Sequence, residues 1–171
     1  NASWVVMDNG GASQYNTKAI MEMGHEYLTR KTMGANDVAF FENGEAVEVE
    51  PGLTCVSHTF ESSGRTKYVF FSKDVYEMRL RNARVRIQRM LNEARAIRDG
   101  EKPASSLVTV RENSFIQIEN RITIQDILVD HTPEEMEEIA RKSLGPTTGF
   151  FKLESSRQLT PVEALSKYRR R

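Results

Sequence analysis

Residues Trp4-Val5-Val6-Met7 form an unbroken apolar run that ends on Asp8 and then on Asn9-Gly10-Gly11. Four apolar residues in a row, two of them β-branched, read as a strand buried on both faces. The Asn-Gly-Gly that follows lets the chain turn tightly at little steric cost. Ser13 is a candidate N-cap. From Gln14 to Met23 the apolar residues Tyr15, Ala19, Ile20 and Met23 recur at helical spacing, and Gly24 is placed to end that helix. Glu26 to Thr32 reads as a second strand. A strand, a helix and a strand in succession predict a parallel pair, with Asp8 where the first strand leaves the sheet. Ligands of open α/β sheets gather at that end of a strand. A carboxylate there can hold a divalent metal, or it can be a solvated turn aspartate. The sequence leaves both readings open.

From Met33 to Lys73 the pattern is β-rich. Val38-Ala39-Phe40-Phe41 precedes a turn signal at Glu42-Asn43-Gly44-Glu45, and Ala46 to Glu50 alternates apolar with acidic. Leu53–Glu61 and Thr66–Ser72 flank Ser62-Ser63-Gly64-Arg65 and read as an antiparallel hairpin. Asp74–Asp99 is the most regular segment of the chain. Tyr76, Leu80, Ala83, Ile87, Met90, Ala94 and Ile97 step by four and three, one apolar stripe on a long helix. Arg79, Arg81, Arg84, Arg86, Arg89, Arg95 and Arg98 flank the stripe. Such arginines either snorkel and pair on a solvated face or make a phosphate-contacting ridge.

Short strands are expected at Leu107–Val110, Ser114–Ile118 and Arg121–Ile124. Thr132-Pro133-Glu134-Glu135 and Thr160-Pro161-Val162-Glu163 are helix starts, each with proline at the first helical position. Gly149–Leu153 is a further strand. His131 has no second histidine at ligand spacing and reads as a loop residue. The fold class is α+β: a strand-helix-strand core over 1–32, a β-rich insertion over 33–148 containing the helix 74–99, and a return strand and helix over 149–171.

Lys and Arg number 24, as do Asp and Glu, so net charge draws the chain neither to nucleic acid nor to membrane. No apolar run reaches the roughly 18 residues of a membrane span. The single cysteine, Cys55, excludes an internal disulfide and fits a reducing, cytoplasmic setting. It reads as a small buried apolar residue rather than as a nucleophile. The chain opens on a buried strand and stops within a helix, so it is expected to be an internal fragment of a longer protein.

Two anchors carry a family resemblance. The first is Val5–Gly11 with its helix and Glu26-Tyr27-Leu28-Thr29-Arg30. The second is Gly149–Leu153, then Leu159–Leu165, then Tyr168 and Arg171. In order, they resemble the cut-and-paste DDE transposases of the insertion-sequence-four group. In that group the first strand carries the second of three catalytic carboxylates. A threonine-proline-capped helix then carries the signature Y-x2-R-x3-E-x6-K, whose first two letters Tyr168 and Arg171 match. Asn9 stands where members often have arginine, and Thr148 where many have aspartate.

The resemblance implies a partial RNase H-like core over 1–32 and the mobile-element chemistry of DNA transposition and recombination. Asp8 would be a catalytic and metal-binding carboxylate, and Tyr168 and Arg171 nucleic-acid contacts. Arg81, Arg84, Arg95 and Arg98 would follow the DNA backbone. The substrate would be transposon-end DNA, and the cofactor of the full-length parent Mg²⁺. The other two carboxylates would lie before Asn1 and four residues after Arg171. This chain alone is therefore expected to bind no metal, to be inactive, and to expose a sheet edge near Trp4 open to self-association. The alternatives are a non-catalytic nucleic-acid- or partner-binding module derived from a transposase, and an α+β scaffold without a site.

Overall fold

A computed structural model describes residues 3–9, 14–102 and 132–170 of the chain. In chain order its elements are β1 (Trp4–Met7), α1 (Gln14–Glu22), β2 (Glu26–Lys31), α2 (Ala35–Glu42), β3 (Val47–Glu50), β4 (Leu53–Thr59) and β5 (Thr66–Ser72). They are followed by α3 (Lys73–Arg98), α4 (Pro133–Ser143), β6 (Phe150–Ser155) and α5 (Pro161–Arg169). They form two compact units. One joins Asn1–Asp74 to Gly149–Arg171, and the other is Val75–Thr148.

The first unit is a mixed α+β layer. β1 and β2 are parallel neighbours, registered from Trp4 against Glu26 to Met7 against Thr29, with α1 between them in the chain. Thr17 and Ile20, one turn apart, are the buried residues of α1. Gly24, at φ 80°, ends the helix in the left-handed region that favours glycine. The sheet order is β1-β2-β6-β5-β4-β3. β6 therefore lies in the middle of the sheet, antiparallel to β2 on one side and to β5 on the other. Leu28, Leu153, Tyr68, Phe70, Leu53 and Cys55 cluster with Ala164, Leu165 and Tyr168 of α5 to form the core. Burial pushes the Cys55 thiol up to about 12. It stays protonated at neutral pH, as befits a small core residue.

Two expectations need correction. Val38–Phe41, counted with the β-rich region, lies on helix α2. Asp37, three residues after the Gly34 N-cap, accepts from the Gly34 N–H at 2.9 Å and closes the first turn. Phe41 then packs edge-on against Phe150, with ring centroids 5.2 Å apart. Strands β3–β5, read as part of an insertion over 33–148 apart from the 1–32 core, share one sheet with β1 and β2, because β6 joins them. The strands expected over 107–124, and His131, lie outside the described residues.

In the second unit the stripe behaves as its spacing predicts. Leu80, Ala83, Ile87 and Met90 are buried, together with Ile139 and Ala140 of α4, while Met136 and Leu144 pack at the margin. Ala94 and Ile97 lie outside the described side chains. Among the described residues, no helix is long and apolar enough to cross a membrane.

Asp37 ties α2 to the sheet. Its carboxylate takes Lys67 Nζ at 2.5 Å and Lys152 Nζ at 2.7 Å, and the residue is only 5% exposed. Burial opposes its ionisation. The hydrogen bonds from Lys152, Lys67 and Gly34 outweigh burial and hold the carboxyl at about 2, against an ordinary 3.8. A pKa below that of the unfolded chain stabilises the fold above the unfolded value, and the gain disappears as pH falls through the folded one. Urea unfolding should therefore show about 2 kcal/mol lost between roughly pH 5 and pH 2. Asp37→Asn should remove that part of the profile and cost about 3 kcal/mol at neutral pH. An unaltered profile in Asp37→Asn would assign the acid sensitivity elsewhere. Ile87→Asp, at a position 2% exposed, should unfold the helical unit. A variant with an unchanged melt and full α3 helicity by circular dichroism would show that the stripe is not core.

Candidate active site at the tip of β1

Asp8 follows the last residue of β1 and is exposed. Its neighbour in space comes from the far end of the chain. Thr160 caps α5 reciprocally: its Oγ1 accepts from Glu163 N–H and its N–H donates to Glu163 Oε1, both at 3.1 Å. Pro161 occupies the first turn. Ala164, Leu165 and Tyr168 then fall on one buried face, as their spacing of one and three requires. Tyr168 is 6% exposed, and its Oη donates to Asp8 Oδ1 at 2.9 Å, across 160 positions of sequence.

The start of α5 is itself pinned. Tyr68 Oη on β5 accepts from the Leu159 N–H at 2.9 Å and lies 3.1 Å from the Leu159 carbonyl and 2.8 Å from Ser155 Oγ. Burial raises the Tyr68 hydroxyl above its ordinary pKa, so it remains a neutral donor and acceptor. On β1, Trp4 sits beneath two cations, Lys167 Nζ at 5.1 Å and the Arg157 guanidinium at 5.7 Å from the ring centroid.

The remaining predicted residues divide by unit. Arg171 lies outside the described residues. Its neighbour Arg169 forms a two-pronged pair with Glu50 at 2.8 and 2.6 Å. Arg170 reaches back to Ser166 O at 3.3 Å and Oγ at 3.1 Å. Arg81, Arg84 and Arg95 belong to the helical unit, as does Arg98, whose side chain is not among those described. Arg81 is exposed and Arg95 half-buried. Arg84 grips Glu137 with both prongs, at 2.5 and 2.6 Å. That bond lowers the Glu137 pKa and raises that of Arg84. Asp8 and Tyr168 are thus the two predicted site residues that the described structure brings into direct contact.

Arg30 is the residue that motif reading left without a role. It follows Thr29, the last residue registered against β1, and shares a sheet face with Leu28 in the α5 cluster. Its guanidinium lies 5.7 Å from the Phe151 ring centroid. The register of β1 against β2, Met7 opposite Thr29, puts Arg30 one strand over from Asp8, and strand parity gives only the shared face.

An exposed carboxylate that accepts from a phenol is a suitable single ligand, because hydrogen bonds commonly orient the carboxylates that hold metals. It is not a complete two-ion centre. Among the described residues, no three His, Cys, Asp or Glu side chains group as a metal site. Replacing Tyr168 by phenylalanine keeps the packing and removes the hydrogen bond to a carboxylate. Tyr168→Phe should therefore cost about 1–2 kcal/mol in urea unfolding at neutral pH, with little change in Asp8→Ala as background, where no acceptor remains. Equal losses in both backgrounds would show that the two side chains are not coupled.

No family model, no curated protein and no solved structure matches this chain.

Proposed function

We propose that this chain is part of a cut-and-paste DNA transposase of the DDE type, similar to the insertion-sequence-four group, with β1-α1-β2 as half of an RNase H-like core. The observation that supports the reading best is the bond between Tyr168 and Asp8. The resemblance assigns these two residues, one from each end of the chain, to one catalytic centre, and they meet at hydrogen-bond distance. The parallel β1–β2 pair, with Asp8 at its carboxyl end, supports the same reading.

In this proposal Tyr168 holds the Asp8 carboxylate in one orientation on a rigid strand tip. Arg30, and Arg171 beyond the end of α5, supply positive charge for the phosphates of transposon-end DNA. Mg²⁺ ions, held by a full set of three carboxylates, would stabilise the charge that develops in an in-line displacement at phosphorus. Asp8 is one member of that set. The other two fall outside this sequence in the family pattern, so the chain alone is proposed to be inactive. A non-catalytic module that binds nucleic acid or a protein partner is the second reading. The arginine-rich exposed side of α3 favours it.

The test pairs this chain with its own longer reading frame. The purified chain should not cleave DNA with Mg²⁺ or Mn²⁺. A longer protein carrying glutamate four residues beyond Arg171 should cleave, and Asp8→Asn should abolish that cleavage. Metal-dependent cleavage by the chain alone, lost in Asp8→Asn, would overturn the fragment reading. A different residue at the glutamate position would overturn the family reading.

A further inference from the structure

Helix α3 has a second apolar line on the side opposite its buried stripe. Val75, Met78 and Val85 are spaced three and seven apart, with Asn82 completing the turn between them, so all four share one face. Met78 is 44% and Val85 57% exposed, whereas Leu80 and Ala83 beside them in sequence are 4% and 0%. Arg79 and Arg86 border this line on one side, Arg81 borders it on the other, and Arg89 continues it. All four arginines are exposed. No acidic residue occurs between Glu77 and Glu93. Past Asp74 and Glu77, which flank Val75, the face is thus a short apolar seam inside a strip of positive charge.

We propose that this face is a docking surface for an acidic amphipathic helix of a partner protein. The charge calls for an acidic partner, and the seam calls for apolar side chains at helical spacing. The other side of α3 already binds a helix of this kind. α4 has the sequence Pro-Glu-Glu-Met-Glu-Glu-Ile-Ala-Arg-Lys-Ser. Its Ile139 and Ala140 fill the stripe while its Glu137 takes both prongs of Arg84. A second copy of this chain is a poor occupant, because pairing the face with itself would set four arginines against four others. A DNA backbone matches the charge but leaves Met78 and Val85 without a partner. An anionic lipid surface is disfavoured because Asn82 and Arg89 interrupt the apolar line, and membrane-lying helices carry larger, continuous apolar faces.

The probe is a fluorescein-labelled synthetic peptide of about four helical turns, with leucines along one face and glutamates on both flanks. Anisotropy titrations with the whole chain compare it with a scrambled peptide of equal composition, a labelled DNA duplex and vesicles containing anionic lipid. The amphipathic peptide should bind at least about tenfold more tightly than its scramble. The double variant Met78→Ser, Val85→Ser should lose about tenfold in affinity with an unchanged thermal melt, since both positions are exposed. The double variant Arg79→Gln, Arg86→Gln should weaken binding and flatten its salt dependence. Equal binding of peptide and scramble, peptide affinity unaltered by the serine variant, or tighter binding of duplex or vesicles than of the peptide would each overturn the proposal.

Discussion

Strand β6 is the constraint on which the first unit depends. It enters the sheet from the far end of the chain and pairs with β2 along one edge and β5 along the other. Without it, β1–β2 would be an isolated parallel pair and β3–β4–β5 a separate antiparallel meander. Small sheets of that kind seldom stand alone in water. Its inward residues are used closely: Leu153 and Ser155 are fully buried. The strand continues into Ser156, whose N–H donates to the Tyr27 carbonyl at 3.0 Å and whose Oγ accepts from the Tyr27 N–H at 2.8 Å. The N-terminal pair is thereby held to the C-terminal segment by the ladder itself and by the residue immediately beyond it.

From that anchoring the site follows in steps. β6 delivers the chain to Leu159, which Tyr68 grips from the adjacent strand. The grip fixes the cap at Thr160, the cap fixes the first turn of α5, and two further turns bring Tyr168 over the tip of β1. The Tyr68–Leu159 link is buried, while the Thr160 cap and Asp8 are exposed. Asp8 accepts from Tyr168 at a solvent-exposed strand tip, whereas Asp37 is enclosed between Lys67 and Lys152.

The parts of this structure that were legible in the sequence are those governed by local periodicity and by caps. The valine run, the Gly24 stop, the stripe from Tyr76 to Met90 and the Thr160–Glu163 box each carry their instruction within a few residues. Helix α2 does not. Ala39, Phe40 and Phe41 make a short apolar run that fits a buried strand or a buried helix equally well, and length and period cannot separate the two. What decides is Asp37, whose ion partners Lys67 and Lys152 stand 30 and 115 positions away. A buried carboxylate needs those lysines in place, and the helical turn puts it within their reach. The union of the two β regions was hidden for the same reason, since strand partners are long-range choices that no single segment records.

The two faces of α3 show how one local pattern can carry two messages. The inner stripe dominates the sequence because its spacing is nearly continuous, and the structure fills it with α4. The outer line of Val75, Met78 and Val85 is interrupted by polar residues and reads as noise until the inner face is known to be occupied. Aliphatic side chains exposed among arginines gain nothing from water and nothing from a phosphate backbone. Single exposed apolar residues are ordinary on a protein surface. Three on one line, two of them in the stretch from Met78 to Asn92 that holds arginines and no acid, form a surface whose shape and charge both match an acidic helix. The bonds between α3 and α4 are the nearest physical precedent for such a contact, because there the same helix meets glutamate with arginine and aliphatic side chains with its stripe.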